Sequence, residues 1–119
     1  MIVVDASVLI AYLDRSDRHH AAAIELLAES APPFVVHPLT AAEVLVSPTR
    51  AGIADKVWSD LVVIGVEIDD TPLDPTQLAR LRADTGCKMP DCCVIATALN
   101  RGTTVATFDE RLRKHTQPR

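Results

Sequence analysis

Four short apolar runs, separated by stretches with helical spacing, constrain this chain more than any other feature. Ile2-Val-Val-Asp5, Phe34-Val-Val36, Val66-Glu-Ile68 and Thr104–Thr107 read as strands. They are short and rich in β-branched residues, and the first two lack polar alternation, the pattern of strands covered on both faces. Ser7 stands where it would cap a helix to Leu13, broken by Asp14-Arg-Ser-Asp17. A longer amphipathic helix spans His19 to about Glu29 and ends at Pro32-Pro33. Thr40–Val46 reads as a short helix stopped by Pro48, and Ile53–Ile64 as another, closed by Gly65. Asp74-Pro75 opens a helix that stops near Gly86, because Pro suits the first helical position. Pro90 opens the next, which ends at Asn100-Arg-Gly102, and Glu110–His115 forms a last turn or two. This alternation predicts an α/β fold: a parallel sheet of four to five strands flanked by helices on both faces.

The length, 119 residues, fits a single domain over 1–119. An apolar fraction of 48% supports a core, and with aromatics at 3% that core must be aliphatic. No run approaches the roughly 18 to 20 apolar residues of a membrane span. The N-terminus lacks a basic leader region, so no signal peptide is expected. Three cysteines without a disulfide framework fit a reducing cytoplasm. Cys87, Cys92 and Cys93 match no usual zinc spacing and read as small buried hydrophobes. His19-His20 reads as solvated surface. No glycine-rich phosphate loop and no G-x-S-x-G elbow occurs.

Chemistry enters through four carboxylates, Asp5, Glu43, Asp91 and Asp109, each where a strand ends or a helix begins. In a parallel sheet the carboxyl ends of the strands share one edge, where open α/β sheets bind ligands. Each acid also has a local explanation. Asp5 stands where it would accept from the following helix, Thr40 and Glu43 have the spacing of a capping box, and Asp91 and Asp109 sit at helix starts. Four independent caps need not converge on one edge, whereas a cation site requires it. Oxygen-only ligands suit Mg2+ or Mn2+, which serve phosphodiester chemistry. Ser7 and Thr107, each two residues from an acid, are placed to support that site.

The net charge of −4 is unevenly spread. Residues 1–100 carry 14 acidic and 7 basic side chains, whereas residues 101–119 carry 2 and 5. Arg111, Arg113, Lys114, His115 and Arg119 form a basic patch suited to phosphate, with Arg111, Arg113 and Lys114 as RNA-binding candidates.

These segments resemble a known family. Ile2-Val-Val-Asp-Ala-Ser-Val-Leu-Ile10 resembles the opening strand of PIN-domain ribonucleases. Thr40-Ala-Ala-Glu-Val-Leu45, Pro90-Asp-Cys-Cys-Val-Ile-Ala-Thr-Ala-Leu99 and Thr107-Phe-Asp-Glu-Arg-Leu112 resemble its second, third and fourth acidic motifs. Order, spacing and length are similar to the VapC toxins of bacterial VapBC toxin–antitoxin pairs. The resemblance implies Asp5, Glu43, Asp91 and Asp109 as metal ligands, with Ser7 and Thr107 in support. It also implies an Mg2+- or Mn2+-dependent RNA endonuclease, often dimeric and held by a cognate antitoxin protein. Three features depart from the pattern: Arg111 stands where many relatives carry a further acid, Phe108 where Asn is frequent, and the chain stops where relatives often add a fifth strand.

The expected reaction is hydrolysis of an RNA phosphodiester by a metal-activated water in a cytoplasmic protein. Ala22, Ile24, Trp58 and Leu61 are candidate interface residues for a homodimer or the antitoxin. Two alternatives stand beside this: a metal-dependent phosphatase with Asp5 as nucleophile, and a catalytically weak or inactive PIN-like binding module.

Overall fold

Three of the four apolar runs pair as three-residue strands and the fourth as a two-residue strand. In chain order the elements are β1 (Ile2–Val4), α1 (Ala6–Leu13), α2 (His20–Glu29), β2 (Phe34–Val36), α3 (Pro38–Arg50), α4 (Ala54–Ile64), β3 (Val66–Ile68), α5 (Pro75–Thr85), α6 (Met89–Arg101), β4 (Val105–Ala106) and α7 (Glu110–Lys114). The computed structural model describes residues 1–116; Arg119 of the basic patch lies outside the described residues. The four strands are parallel, in the order β3-β2-β1-β4.

Alternation along each strand divides the core in two. Val4, Phe34, Val36, Val66 and Ala106 face Val8, Leu9, Ala23, Leu27, Val44 and Leu61 of the first four helices. Val3 and Val35 face the other way, onto Cys87, Cys92, Val94, Ile95, Ala98 and Leu112. The three cysteines are buried free thiols. Helices therefore cover both faces; β2 is buried throughout and β1 is buried at Val3 and Val4, as their unbroken apolar sequence requires.

Several local readings change. The helix around Glu43 does not start at Thr40 or stop at Pro48. His37 caps it, its ring Nδ1 accepting from Leu39 N at 3.0 Å, with Pro38 in the first turn. The helix runs through Pro48 to Arg50. Pro48 lies close to the C-terminal end, so its missing N–H removes one bond in the last turns without ending the helix. Thr40 is buried inside the helix, and the capping box does not form. The helix carrying Asp91 begins at Met89, one residue before Pro90, with Lys88 at the N-cap position. Ser7 lies inside α1, and Asp5 holds the N-cap position without a side-chain capping bond.

Gly65 is the turn on which β3 depends. It ends α4 at φ +109°, and a Cβ there would lie 2.8 Å from Pro32 Cβ. Its carbonyl accepts from Phe34 N at 2.8 Å, so any shift would disturb the start of β2 as well. Of the interface candidates, Leu61 is fully buried and Trp58 packs against the core, which removes Leu61 as a docking residue. Ala22 and Ile24 are exposed, and on α4 the outward apolar residues are Val62 and Val63. Among the described residues no helix is long and apolar enough to cross a membrane.

Candidate active site

The strand order locates the site. From β1 the chain winds outward through β2 to β3, then returns to place β4 on the other side of β1. The direction of winding reverses between β1 and β4, and at such a switch point the loops leaving the carboxyl ends diverge and open a crevice. Asp5 leaves β1 there, its backbone N donating to Ala106 O at 3.0 Å, and Thr107 leaves β4 beside it.

Asp5 is buried at 8% exposure, and one of its oxygens is held by two hydroxyls. Ser7 Oγ donates to Oδ2 at 3.0 Å and Thr107 Oγ1 donates to the same atom at 2.8 Å. The two hydroxyl oxygens lie 3.4 Å apart. Each is fixed from behind: Phe108 N donates to Ser7 Oγ, and Asp109 N to Thr107 Oγ1, both at 3.0 Å. Backbone amides orient the hydroxyls, the hydroxyls orient Asp5, and Oδ1 stays clear of that network.

The other acids stand round this one at electrostatic range. Burial raises the pKa of Glu43, and the charges of Asp5 and Asp91 raise it further. Burial likewise raises Asp91, reinforced by Asp5 and Asp109 and opposed by Lys88 and Arg111. The carboxylates thus sense one another as like charges in partly desolvated surroundings. Asp109 also caps α7, its Oδ1 accepting from Arg111 N at 2.9 Å and Leu112 N at 3.2 Å. Its other oxygen makes neither capping bond. Neither Glu43 nor Asp91 makes a capping bond, so helix capping explains only Asp109.

Oxygen donors alone, mutually repelling, fit a hard divalent cation by charge and ligand type. Among the described residues no three Asp, Glu, His or Cys side chains stand close enough together to hold a metal ion between them. The acids are neighbours around a crevice, not a finished coordination shell.

The basic residues divide by role. Arg113 is tied down, donating to Thr107 O at 2.9 Å and lying 3.4 Å from Glu110. It braces the β4 end. Arg111 faces the charge of Asp91, and Lys114 is exposed. Lys88, the other cation facing Asp91, carries no motif signal that would single it out in the sequence. His19 and His20 are half-buried and engaged as well as solvated: the His19 ring stacks on Phe108 at 4.7 Å, and His20 Nδ1 lies 2.8 Å from Ala11 O. The His19–Phe108 stack joins residues far apart in the chain, which no local periodicity reveals.

A parallel sheet of this order, covered by helices on both faces, defines a class of α/β fold. A model of the PIN domain matches residues 2–117, and the chain belongs to the PIN domain family. Solved structures agree on the fold. Mycobacterium tuberculosis VapC20, described as a sarcin–ricin loop cleaving toxin, is 16% identical with a TM-score of 0.75, covering 97% of this chain and 95% of its own. A toxin–antitoxin complex from Klebsiella pneumoniae gives 20% identity and a TM-score of 0.79, covering 95% and 90%. A Pyrobaculum aerophilum protein gives 19% and 0.66, covering 98% and 84%. No functionally curated protein matches the chain.

Proposed function

We propose that this chain is a divalent-metal-dependent endoribonuclease and the toxin of a toxin–antitoxin pair, acting as a single PIN-like domain. The observation that carries this is Asp5, held at the switch point by Ser7 and Thr107 with its other oxygen outside that clamp, and within electrostatic range of Glu43 and Asp91, whose pKa values burial and like charge raise. Membership of the PIN family and the fold shared with two toxin structures support the class.

In this reading Asp5, Glu43, Asp91 and the uncommitted oxygen of Asp109 hold Mg2+ or Mn2+. When bound, such an ion supplies hydrolytic chemistry by activating water and offsetting charge on phosphate. The chain's residues do the rest. Ser7 and Thr107 fix Asp5 so that Oδ1 is presented without rotamer freedom. Arg111 and Lys88 face Asp91 and are placed to meet a polyanion entering beside it. Lys114 extends that positive side, while Arg113 holds Thr107 in place. No side-chain nucleophile is required. Against the phosphatase alternative, Asp5 is buried with one oxygen held by two hydroxyls.

The partner in this reading is a small antitoxin, and the chain also pairs with itself. A cleft of 620 Å3 between α1, α3 and α4, lined by Ile10, Leu13, Val46, Ile53 and Val57, has Glu43 on its wall and would take an apolar segment beside the acids. Ala22 and Ile24 on α2, with Val62 and Val63 on α4, offer further apolar surface.

The test is cleavage of a structured RNA by protein freed of antitoxin. Cleavage is expected with Mg2+ or Mn2+, is lost on chelation, and leaves 5′-phosphate and 3′-hydroxyl ends. Cleavage that survives chelation, or an Asp91→Ala protein with full activity, rejects the reading. Folded protein that binds RNA without cutting it would favour the weak or inactive PIN-like module, which Arg111 in place of a further acid also supports.

A further inference from the structure

We propose that Arg18, His19 and Phe108 form a nucleobase-stacking subsite that takes an unpaired base next to the cleaved phosphodiester; this rests on the ribonuclease reading above. The His19 and Phe108 rings stack with centroids 4.7 Å apart and planes 19° from parallel. The pair adjoins the site. Phe108 lies between Thr107 and Asp109, and its backbone N donates to Ser7 Oγ, the hydroxyl that holds Asp5. Two hydrogen bonds therefore separate the stack from the buried carboxylate.

The pair is also built in advance. Phe108 is half-buried and packs against the larger core cluster. The backbone N of His19 donates to Asp17 Oδ1 at 2.8 Å, and its ring Nε2 accepts from Arg18 Nε at 3.2 Å. A base meeting this surface orders nothing new, which lowers the entropic cost of binding. Arg18 itself is exposed and spends one N–H on His19. The remaining guanidinium donors suit the phosphate attached to the stacked base.

The aromatic inventory singles out this pair. Phe34 is buried in the sheet, and Tyr12 and Trp58 pack on the core. The groove on the α2 side of Phe108 is lined by Glu25 and Glu29, which repel phosphate, whereas the His19 side carries Arg18 beside Asp17. Stacking on aromatic and histidine rings is how proteins hold splayed, single-stranded bases, and a duplex keeps its bases stacked on one another. The subsite therefore selects unpaired RNA. It also gives a role to Phe108, one of the three departures from the family pattern.

The test uses the full chain carrying Asp91→Asn, so that RNA stays intact. It is titrated with a short single-stranded RNA bearing a fluorescent purine analogue, and with the same sequence annealed as a duplex. Stacking quenches the analogue, so quenching is expected with the single strand alone. His19→Ala should weaken single-strand binding by about 5- to 100-fold, the effect of losing one base stack. His19→Phe, which keeps the packing on Phe108, should restore it. Arg18→Ala should lower affinity and reduce the salt slope by about one unit. A folded His19→Ala protein that binds and quenches like its parent overturns the inference, as does His19→Phe binding no better than His19→Ala. Intact metal-dependent cleavage with no effect of His19 on binding removes the stack alone. Quenching by a chain that never cuts RNA upholds the stack and removes the nuclease reading.

Discussion

Asp5 and Asp69 occupy matching places, each the first residue after a parallel strand and each buried, yet the fold treats them oppositely. Asp69 is neutralised from within. Arg101 Nε donates to Oδ2 at 2.9 Å and Thr71 N to Oδ1 at 3.0 Å, and the Arg101 bond chiefly lowers its pKa to about 2. Asp5 meets only hydroxyls, and the acids nearest it are pushed upward in pKa by burial and by one another. A buried carboxylate that serves the fold is given its cation by the chain. One left among other acids, with an oxygen clear of its hydroxyl clamp, is given no cation by the chain, which is the contrast the proposed metal site depends on.

The sharpest way to break this comparison is to neutralise each acid and read activity and stability together. Asp5→Asn and Asp91→Asn should each cost about 100-fold or more in metal-dependent RNA cleavage while the protein still folds. Asp69→Ala should do the reverse, keeping the cleavage machinery but losing about 1–3 kcal/mol of stability in a denaturant titration, because Arg101 and Thr71 lose their charged partner. A stability loss from Asp91→Asn as large as that from Asp69→Ala would erase the distinction.

A cation sharpens the contrast further. Mg2+ or Mn2+ at a hundredfold excess over its Kd should stabilise the parent by about 2.7 kcal/mol, through binding to the folded state alone. Asp5→Asn should abolish that gain, and Asp69→Ala should leave it in place. Thermal melts with and without metal decide this.

Smaller effects follow from pH, with opposite signs. The lowered pKa of Asp69 contributes stability that is present above the ordinary carboxylate value of 3.8 and lost as pH falls toward about 2. Glu43 and Asp91 are raised in the fold. For them the favourable term is present below the ordinary carboxylate range and lost as pH rises through their raised values. Metal-free protein should therefore lose stability as pH climbs out of the carboxylate range, and Asp91→Asn should flatten that slope. A slope unchanged in the variant would show that the acids are uncoupled. Smallest of all, Lys114→Ala should weaken RNA binding modestly and reduce its salt dependence by about one unit, without altering the melt.

Much of this architecture was legible because it depends on signals within a few residues. The runs Ile2–Val4 and Phe34–Val36 could be covered only from both sides, and Asp5, Asp91 and Asp109 fall at or within the first turn of a helix, whereas Glu43 lies inside α3, whose start is three residues earlier than Thr40 suggests. What escaped is long-range or competitive. Asp69 and Arg101 form a pair with no spacing signature. The stack of His19 on Phe108 needs the α1–α2 turn and the end of β4 to meet. Thr40 has the spacing of a cap, but His37 reaches the helix first because the chain leaves β2 directly into Pro38. Leu61 and Val62 are equally apolar neighbours on α4, and only packing decides that one is core and the other surface.

The brevity of the strands has one more consequence. β1 has three residues and β4 two, and the register pairs Val3 with Val105 and Val4 with Ala106. A slip of one position would turn Val3 and Val4 onto each other's faces and carry Asp5 away from Thr107. The core and the carboxylate clamp would fail in the same event. The fold thus proofreads its own crevice: the register that seals the two cores is the register that brings the hydroxyl of Thr107 onto Asp5 beside that of Ser7, so a chain that has reached its stable sheet has already assembled that clamp.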